Sequence, residues 1–399
     1  FGIPQTLIDV IAKLYTYIFV QFNIDGVKKI FESLTGVKQG DNVAPILFIY
    51  VMQAVLDTLD PHWDLPSPTF KWAPSTKNGK AQGKLTSCSW KNKEKKPFAI
   101  KDILYADDTA ILLLSREHLQ RAMEILVEHF KRFGLEVHTG NNLDPKPKSK
   151  TKAMFFPGKY YLPEEITNKT RDIPIHTNNF IPFTEDFLYL GCIITPDLRD
   201  DTEITRRIRL AKGAFGALKK DVLSNKKIIW KVRKQVYDSF VISQLLFGCE
   251  SWNAGEDTFR KLEIFHNDCM RGMLRLTRFT AHFLHGLRTE DLLQKCNMLP
   301  IKSKIELQRT RWIAKLAKMS ENRTTRKLIS SWITEPRPTG RPQNTIRSGY
   351  AKTIARILSH DNTKFEGDLS LWLDTASSKE WGTLIESKLN LKKGSYKRN

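Results

Sequence analysis

Hydrophobic positions near the start of the chain follow a helical period. Between residues 6 and 22 the apolar residues recur as they would on one face of an α-helix, which predicts a helix there. Those residues are Leu7, Val10, Ile11, Leu14 and Ile18. A turn is predicted at 23–26 and a strand at 28–34. A second long helix is predicted from Pro45 to residue 59, because proline suits the first turn of a helix.

The middle of the chain has strand-like patterning. Two short apolar, β-branched runs at 98–104 and 109–115 flank Tyr105-Ala106-Asp107-Asp108, which predicts a hairpin with two acids at its tip. The elements predicted to follow are a helix at 116–134, a strand at 153–156 and a strand pair within 183–195 that turns around Tyr189-Leu190-Gly191.

The second half of the chain returns to helical spacing. Long amphipathic helices are predicted from residue 203 to about 279, and a further helical segment at 289–319. Residues 60–96, rich in Pro, Ser, Lys and Gly, predict a long hairpin or a surface insertion. No helix could cross the basic, proline-rich stretch at 335–342, so it predicts a linker before a small tail.

Composition and charge narrow the class of protein. The chain has 399 residues, 41% of them hydrophobic, which is enough for two or three domains. Its net charge of +21 attracts polyanions, so nucleic acid is the first partner to expect. Five scattered cysteines favour a reducing, intracellular compartment, nucleus or cytoplasm. The longest apolar run, at 44–56, is shorter than the ~20 residues of a membrane span.

The two acids at the predicted hairpin tip are the strongest candidates for chemistry. Asp107 and Asp108 would be held rigidly at the edge of a sheet, and hard divalent cations prefer such oxygen ligands. Two such ions about 4 Å apart activate an attacking hydroxyl and stabilise a leaving group in phosphoryl chemistry. The alternative is an ordinary solvated turn, where aspartates are common.

The hairpin sequence resembles the Tyr/Phe-x-Asp-Asp motif of reverse transcriptases. Other segments resemble that family in the same order: GVKQG at 36–40 with PILF at 45–48, FGL at 133–135 with KTKAM at 150–154, and FLYLG at 187–191. CESW at 249–252 and the basic helices around it resemble the non-LTR, LINE-type retrotransposon enzymes.

The resemblance implies a fold and an activity. The fold would be α+β, with a right-hand polymerase palm of antiparallel sheet packed on helices at 1–198. An all-helical thumb would follow at 199–288, and then a basic C-terminal region at 289–399 with a linker near 335–345. The activity would be that of an RNA-directed DNA polymerase, a nucleotidyltransferase using two Mg²⁺ ions, an RNA template and a DNA primer. An upstream endonuclease domain is an option for the complete element.

The resemblance also implies roles for individual residues. Asp107 and Asp108 would bind metal and catalyse, and Lys150 would neutralise the leaving pyrophosphate unless it is a solvated loop lysine. The nucleotide and template would contact Gly36, Gln39, Gly40 and Tyr105. The primer grip would be Tyr189, Leu190 and Gly191.

One expected motif is absent from the sequence. FGIP at 1–4 resembles the segment that follows the family's first catalytic motif, which carries the aspartate that bridges both metals. The chain is therefore expected to be truncated at its N-terminus, with an incomplete two-metal site that is inactive by itself.

Basic and metal-binding residue types also recur in the helical half. A dense cluster, with Trp230 interleaved, predicts phosphate contacts, although a solvated helix face is the alternative. Its members are Lys219, Lys220, Lys226, Lys227, Lys231, Arg233 and Lys234. The pairs His266 with Cys269 and His282 with His285 permit a zinc hypothesis, but helical spacing favours Cys269 as a core residue.

Two other classes of function stay open from the sequence. One is a non-catalytic nucleic-acid-binding protein derived from the element. The other is a decayed reading frame whose product has no function. Expression of a stable protein distinguishes the last from the others, and the coding sequence before residue 1 would test the enzyme.

Overall fold

The structure is a computed structural model. It describes residues 2–33, 36–37, 40–72, 76–77, 80–81, 96–106, 108–144, 148–157, 170–175, 178–320, 322–332, 349–350, 353–354, 376 and 381–388. The chain forms two compact units. The first unit comprises Phe1–Pro68, Ile100–Thr151 and Ile173–Ile181, and the second comprises Thr69–Ala99, Lys152–Asp172 and Pro182–Asn399.

The described residues combine helices with small antiparallel sheets. The helices are α1 Gln5–Tyr15, α2 Ala44–Leu59, α3 Arg116–Arg132, α4 Asp201–Leu218, α5 Trp230–Val236, α6 Ser243–Leu245, α7 Glu256–Leu274, α8 Thr289–Cys296, α9 Ile301–Lys318, α10 Thr324–Ser330 and α11 Trp381–Lys388. The strands are β1 Ile18–Ile24, β2 Val27–Ser33, β3 Thr69–Trp72, β4 Thr76–Lys77, β5 Lys80–Ala81, β6 Lys96–Ala99, β7 Asp102–Tyr105, β8 Asp108–Ile111, β9 Gly140–Asn141, β10 Ile173–Ile175, β11 Asn179–Ile181, β12 Phe187–Tyr189, β13 Cys192–Ile194 and β14 Ser331–Trp332. Short π-helical turns lie at Lys219–Leu223, Tyr237–Ile242 and Thr280–Leu284.

The first unit corrects the prediction of a single helix at 6–22. Helix α1 ends at Tyr15, and β1 then pairs in antiparallel register with β2 across Asp25 and Gly26, which have φ of 51° and 83°. Positive φ at both turn positions matches the right-handed twist of a two-residue hairpin. The first residues of β1 are β-branched or aromatic and favour a strand. The helix predicted from the apolar spacing is therefore wrong beyond residue 15. The strand predicted at 28–34 is confirmed.

Helices α2 and α3 contact each other and contribute to the core of the first unit. Helix α2 is confirmed, with Pro45 in its first turn, and α3 begins where the Ser115 side chain accepts a hydrogen bond from the His118 N–H at 3.2 Å. His129 of α3 is buried, and its Nε2 lies 2.9 Å from the Val55 carbonyl oxygen and 3.1 Å from the Thr58 hydroxyl. This hydrogen-bonded histidine fastens the two helices together.

Strands β10, β11 and β9 make a three-stranded antiparallel sheet that packs on α3. Ile173, Ile175 and Ile181 are each at most 1% exposed, so this sheet buries its apolar face. Gly140 lies against the Phe180 ring, where a Cβ would approach to 2.5 Å. The close approach requires glycine at that position of β9.

The second unit contains most of the described helices and a separate core. Long amphipathic helices were predicted from residue 203 and are found as α4 and α7, with the shorter helices α5 and α6 between them. One π-helical turn follows α4 directly, and another joins α5 to α6. The helical segment predicted at 289–319 is found as two helices, α8 and α9, because Asn297 adopts φ of 49° and Pro300 precedes α9. Trp381 of α11 donates from Nε1 to the Thr310 carbonyl at 3.1 Å, which fixes this tail helix on α9.

Other predicted elements of the second unit differ in extent. Only a single bridge between Ala153 and Phe183 replaces the strand predicted at 153–156. Strands β4 and β5 pair within the stretch at 60–96 that was predicted as a hairpin or insertion, and β3 of that stretch pairs with β6, which begins at its last residue. The linker predicted at 335–342 lies outside the described residues. No described helix is both long and apolar enough to cross a membrane.

Candidate functional site

The hairpin of β7 and β8 carries the predicted acidic tip. Its register pairs Tyr105 with Asp108, and the turn begins at Ala106. Ala106 has φ of 53°, and the side chains of Tyr105 and Asp108 are exposed. Asp107 lies outside the described residues. The hairpin therefore holds the Asp108 carboxylate in solvent at the end of a paired strand.

The base of this hairpin is anchored within the first unit. Lys101 forms an ion pair with Asp60, lies 3.7 Å from an Asp102 carboxylate oxygen, and places its ammonium 5.6 Å from the Trp63 ring centre. Its carbonyl oxygen accepts a hydrogen bond from the Leu112 N–H at 2.8 Å. These contacts limit the freedom of the strands and hence of the tip.

The predicted glycine loop before α2 is described in part. Gly36 and Gly40 have φ of 83° and 87°, a conformation that favours glycine, whereas Gln39 lies outside the described residues. Asp41 stabilises the loop: its carboxylate accepts hydrogen bonds from the Val43 N–H at 3.0 Å and the Tyr15 hydroxyl at 2.9 Å. Sequence reasoning did not single out Asp41, although an aspartate just before a helix is a common turn signal.

Lys150 lies on an exposed segment of the first unit. Its backbone N–H donates to His138 Nδ1 at 3.2 Å, and the Ser149 hydroxyl donates to the Thr151 carbonyl at 2.6 Å. The backbone of the segment is thus ordered, and the lysine side chain is exposed to solvent.

The Tyr189-Leu190-Gly191 segment forms the turn between β12 and β13 in the second unit. Leu190 and Gly191 have φ of 47° and 81°, and Tyr189 pairs with Cys192 across the turn. The Gly191 carbonyl accepts hydrogen bonds from Arg206 Nη1 at 3.2 Å and from Arg207 Nη2. The turn is therefore fastened to helix α4.

A buried carboxylate organises this attachment. Glu203 is 3% exposed and accepts hydrogen bonds from the Ile193 N–H at 2.9 Å, from Arg206 and from Arg207. Burial, with the nearby Glu203 charge, raises the pKa of the Cys192 thiol. The sequence analysis missed this cluster, although the four-residue spacing of a glutamate and an arginine on one helix is a recognisable signal.

The basic cluster is partly exposed and partly structural. Lys219, Lys220, Lys226, Lys227 and Lys231 are exposed. Lys234 donates to the Asn297 carbonyl. Arg233 is buried, donates to the Leu223 and Met273 carbonyls at 3.1 and 3.0 Å, and lies over the Trp230 ring. Arg233 is therefore not available to bind phosphates, because its buried side chain holds two core segments together.

The predicted core role of Cys269 is confirmed. Its side chain is 2% exposed, and burial raises its thiol pKa to about 12. His266 is also buried, and both of its ring nitrogens have partners: the Tyr237 hydroxyl lies 2.8 Å from Nδ1 and the Leu299 carbonyl oxygen 3.1 Å from Nε2. His282 and His285 are exposed. Within the described ranges, no three His, Cys, Asp or Glu side chains come together to hold a metal ion.

One family of known proteins matches a continuous part of the chain that includes both the hairpin and the glycine loop. Residues 1–192 match the family described as reverse transcriptase (RNA-dependent DNA polymerase). A Caenorhabditis elegans protein named as an uncharacterized transposon-derived protein is also similar. It is 24% identical over 234 residues, which are 58% of this chain and 76% of that protein. The reverse transcriptase match covers just under half of this chain, and the family it names is one of RNA-dependent DNA polymerases.

Proposed function

We propose that this chain is part of the reverse transcriptase of a non-LTR, LINE-type retrotransposon, an enzyme that copies RNA into DNA. The observation that carries the proposal is the β7–β8 hairpin, which presents the exposed Tyr105 and the exposed Asp108 carboxylate at its end inside the matched span. The similarity to a transposon-derived protein supports the mobile-element origin.

Asp107 and Asp108 are proposed to hold two Mg²⁺ ions. The donor chemistry fits, because Asp108 is an exposed carboxylate on a paired strand and magnesium prefers oxygen ligands that leave room for substrate phosphates. When bound, the ions would supply activation of the primer 3′-hydroxyl and stabilisation of the leaving pyrophosphate. Lys150 is proposed to place a positive charge near that leaving group.

The remaining site residues are proposed to hold the nucleic acid. Gly36 and Gly40 allow close backbone approach to the incoming nucleotide, with Gln39 and Tyr105 beside it. Tyr189, Leu190 and Gly191 would position the primer end, and the exposed lysines at 219–231 would contact phosphates. The palm at 1–198, the thumb at 199–288 and the basic region at 289–399 remain part of this proposal.

Primer extension tests the catalytic assignment. We expect residues 1–399 alone not to extend a primer with Mg²⁺, because two-metal catalysis needs a further carboxylate that bridges the ions. The same chain joined to a segment carrying the family's first motif should extend it. In the joined protein, Asp107→Ala and Asp108→Ala should each abolish extension and leave nucleic-acid binding nearly intact.

Asp144→Ala is the matched control, since Asp144 is an exposed aspartate of the same unit outside the hairpin. It should extend as well as the unchanged protein. Robust extension by residues 1–399 would contradict the incomplete site, and full activity of Asp108→Ala would contradict the hairpin assignment. Binding without extension by the joined protein would favour a non-catalytic nucleic-acid-binding role.

A further inference from the structure

Residues 275–288 of the second unit form an exposed aromatic segment, which we call the aromatic tip. Phe279 and Phe283 are 62% and 70% exposed, and Leu284 is 66% exposed. The two phenylalanine ring centres lie 5.0 Å apart, and His282 meets Phe283 edge-on at 4.9 Å. The tip thus presents contiguous rings to solvent.

The backbone of the aromatic tip is well fixed although its rings are exposed. The Thr277 and Thr280 hydroxyls accept hydrogen bonds from each other's backbone N–H at 3.0 and 2.8 Å. Arg278 binds both carboxylate oxygens of Asp268, and the Leu287 N–H donates to the Ala281 carbonyl at 2.8 Å. Exposed rings on an ordered backbone are typical of a binding surface.

The charge of the aromatic tip favours an anionic occupant. Residues 275–288 contain three arginines and two histidines and no acid. Two neighbouring carboxylates are occupied, whereas Glu290, just beyond the tip, is exposed: Asp268 is paired with Arg271 and Arg278, and Asp291 accepts a hydrogen bond from the Arg288 N–H at 2.9 Å. The tip is therefore a positively charged aromatic surface.

The aromatic tip continues into the basic turn at 224–227. Arg275 Nε donates to the Ser224 carbonyl at 2.8 Å, and the Ser224 hydroxyl donates to the Gly272 carbonyl at 2.8 Å. The exposed Lys226 and Lys227 follow directly on that turn. Lysines that attract phosphates thus follow a turn that is hydrogen-bonded to Arg275, the first residue of the aromatic tip.

We propose that the aromatic tip binds single-stranded nucleic acid by stacking unpaired bases on Phe279 and Phe283. Every base has a flat π-face, so such stacking needs no particular sequence, and it combines with arginine contacts to phosphates. In a duplex the base faces are already covered, so the preference is for an unpaired strand. The inference rests on the proposed function only for the identity of that strand, an RNA template.

The test uses residues 1–399 and two RNA strands of about 12 nucleotides, one intact and one abasic with the same phosphates. We expect the intact strand to bind about tenfold more tightly than the abasic strand, because only the intact strand can stack. The variant with both Phe279→Ala and Phe283→Ala should bind the two strands equally. Fluorescence anisotropy of end-labelled strands gives both affinities.

Phe240→Ala is the matched control, because Phe240 is also exposed, at 57%, but lies outside the aromatic tip. It should keep the tenfold ratio. An equal affinity of the unchanged protein for both strands would overturn the proposal. The proposal would also be overturned if the Phe279→Ala, Phe283→Ala variant kept the tenfold ratio between the two strands. The same holds if the only change in that variant were a loss of self-association, measured by sedimentation.

The outcome is separable from that of the proposed function. A lost ratio in the double variant supports the stacking site whether or not the joined protein extends a primer. Conversely, the joined protein could extend a primer while the unchanged protein bound the intact and abasic strands equally. That result would overturn the stacking site alone.

Discussion

At the residue scale, the second unit contains ionisable groups held in their neutral forms. Burial lowers the pKa of His266 to about 4, and it raises the pKa of Tyr237 well above its usual value. The two side chains are joined by one hydrogen bond and stack with ring centres 5.8 Å apart. The Leu299 carbonyl can only accept, so in the neutral imidazole Nε2 carries the proton and Nδ1 accepts from the phenol.

His266 should make the stability of the protein depend on pH. The unfolded histidine titrates near 6.5 and the folded one near 4, so between these values the unfolded state binds more protons. Its contribution to the free energy of unfolding is therefore complete above pH 6.5 and declines as pH falls toward 4, by up to about 1.4 kcal/mol per pH unit.

The variant His266→Gln should lose that part of the pH dependence while His285→Gln, at an exposed position, keeps it. Urea unfolding at a series of pH values measures both. Parallel pH profiles for His266→Gln and the unchanged protein would contradict the assignment.

Single residues also mark the limits of sequence prediction. The acidic tip was predictable because strand patterning and motif coincide at Asp108. The structural role of Arg233 was not predictable, because it donates hydrogen bonds to the carbonyls of Leu223 and Met273. Met273 is forty residues away in the chain. A sequence shows that a residue is basic, but the partner that removes it from solvent appears only in the fold.

At the element scale, hairpin β12–β13 depends on helix α4. The hairpin is short, and isolated two-stranded hairpins are marginally stable in water. Glu203 and Arg207 supply the missing constraints, and Arg207 also places its guanidinium 4.5 Å from the Phe247 ring centre. The geometry of the predicted primer grip is therefore set by side chains outside its own motif.

Replacing Glu203 should loosen that hairpin. Glu203→Gln removes a buried charge but leaves Arg207 buried, a change that typically costs about 3–5 kcal/mol. We expect lower stability and faster hydrogen exchange at the Ile193 amide, which loses a charged acceptor. Glu290→Gln, at an exposed position, should change neither measurement. Unchanged exchange at Ile193 in Glu203→Gln would argue against the anchoring role.

Elements were predictable where local pattern and tertiary pairing agree. Helix α2 and strand β2 follow their patterns closely. Strand β1 does not follow its pattern. Ile18 fits the apolar stripe of a helix, but in the structure its segment pairs with β2 as a strand. Likewise the interruption between α8 and α9 depends on a left-handed Asn297, a conformation that the apolar period does not encode.

At the scale of the whole molecule, charge is the dominant property. The net charge of +21 predicted a polyanionic partner, and the family match at 1–192 agrees with nucleic-acid substrates. The two-unit division was less accessible, because the first unit is assembled from three separate stretches of chain. The domain boundaries at 198 and 288 stay predictions.

Binding of a primer–template duplex should weaken steeply with salt. Each neutralised phosphate contributes a slope of roughly −0.9 in log affinity against log salt, so several contacts predict a loss of at least about tenfold from 50 to 200 mM. The double variant Lys226→Ala with Lys227→Ala should have a shallower slope. Lys28→Ala with Lys29→Ala is the matched control, since both lysines are exposed in the first unit.

Anisotropy titrations across the salt series measure these slopes. Affinity that does not change over the series would contradict phosphate-dominated binding. An identical slope for the Lys226 and Lys227 variant would remove this turn from the binding surface.

The π-helical turns are positions where the helices of the second unit can lose or gain a single residue. In each of them one extra residue is accommodated within the hydrogen-bonded spiral. Deleting one residue from Tyr237–Ile242 would restore a regular helix, whereas the same deletion inside α7 would rotate every later side chain by about 100°. Single-residue gaps between related chains should therefore concentrate at these turns, and length variation there need not imply a different core.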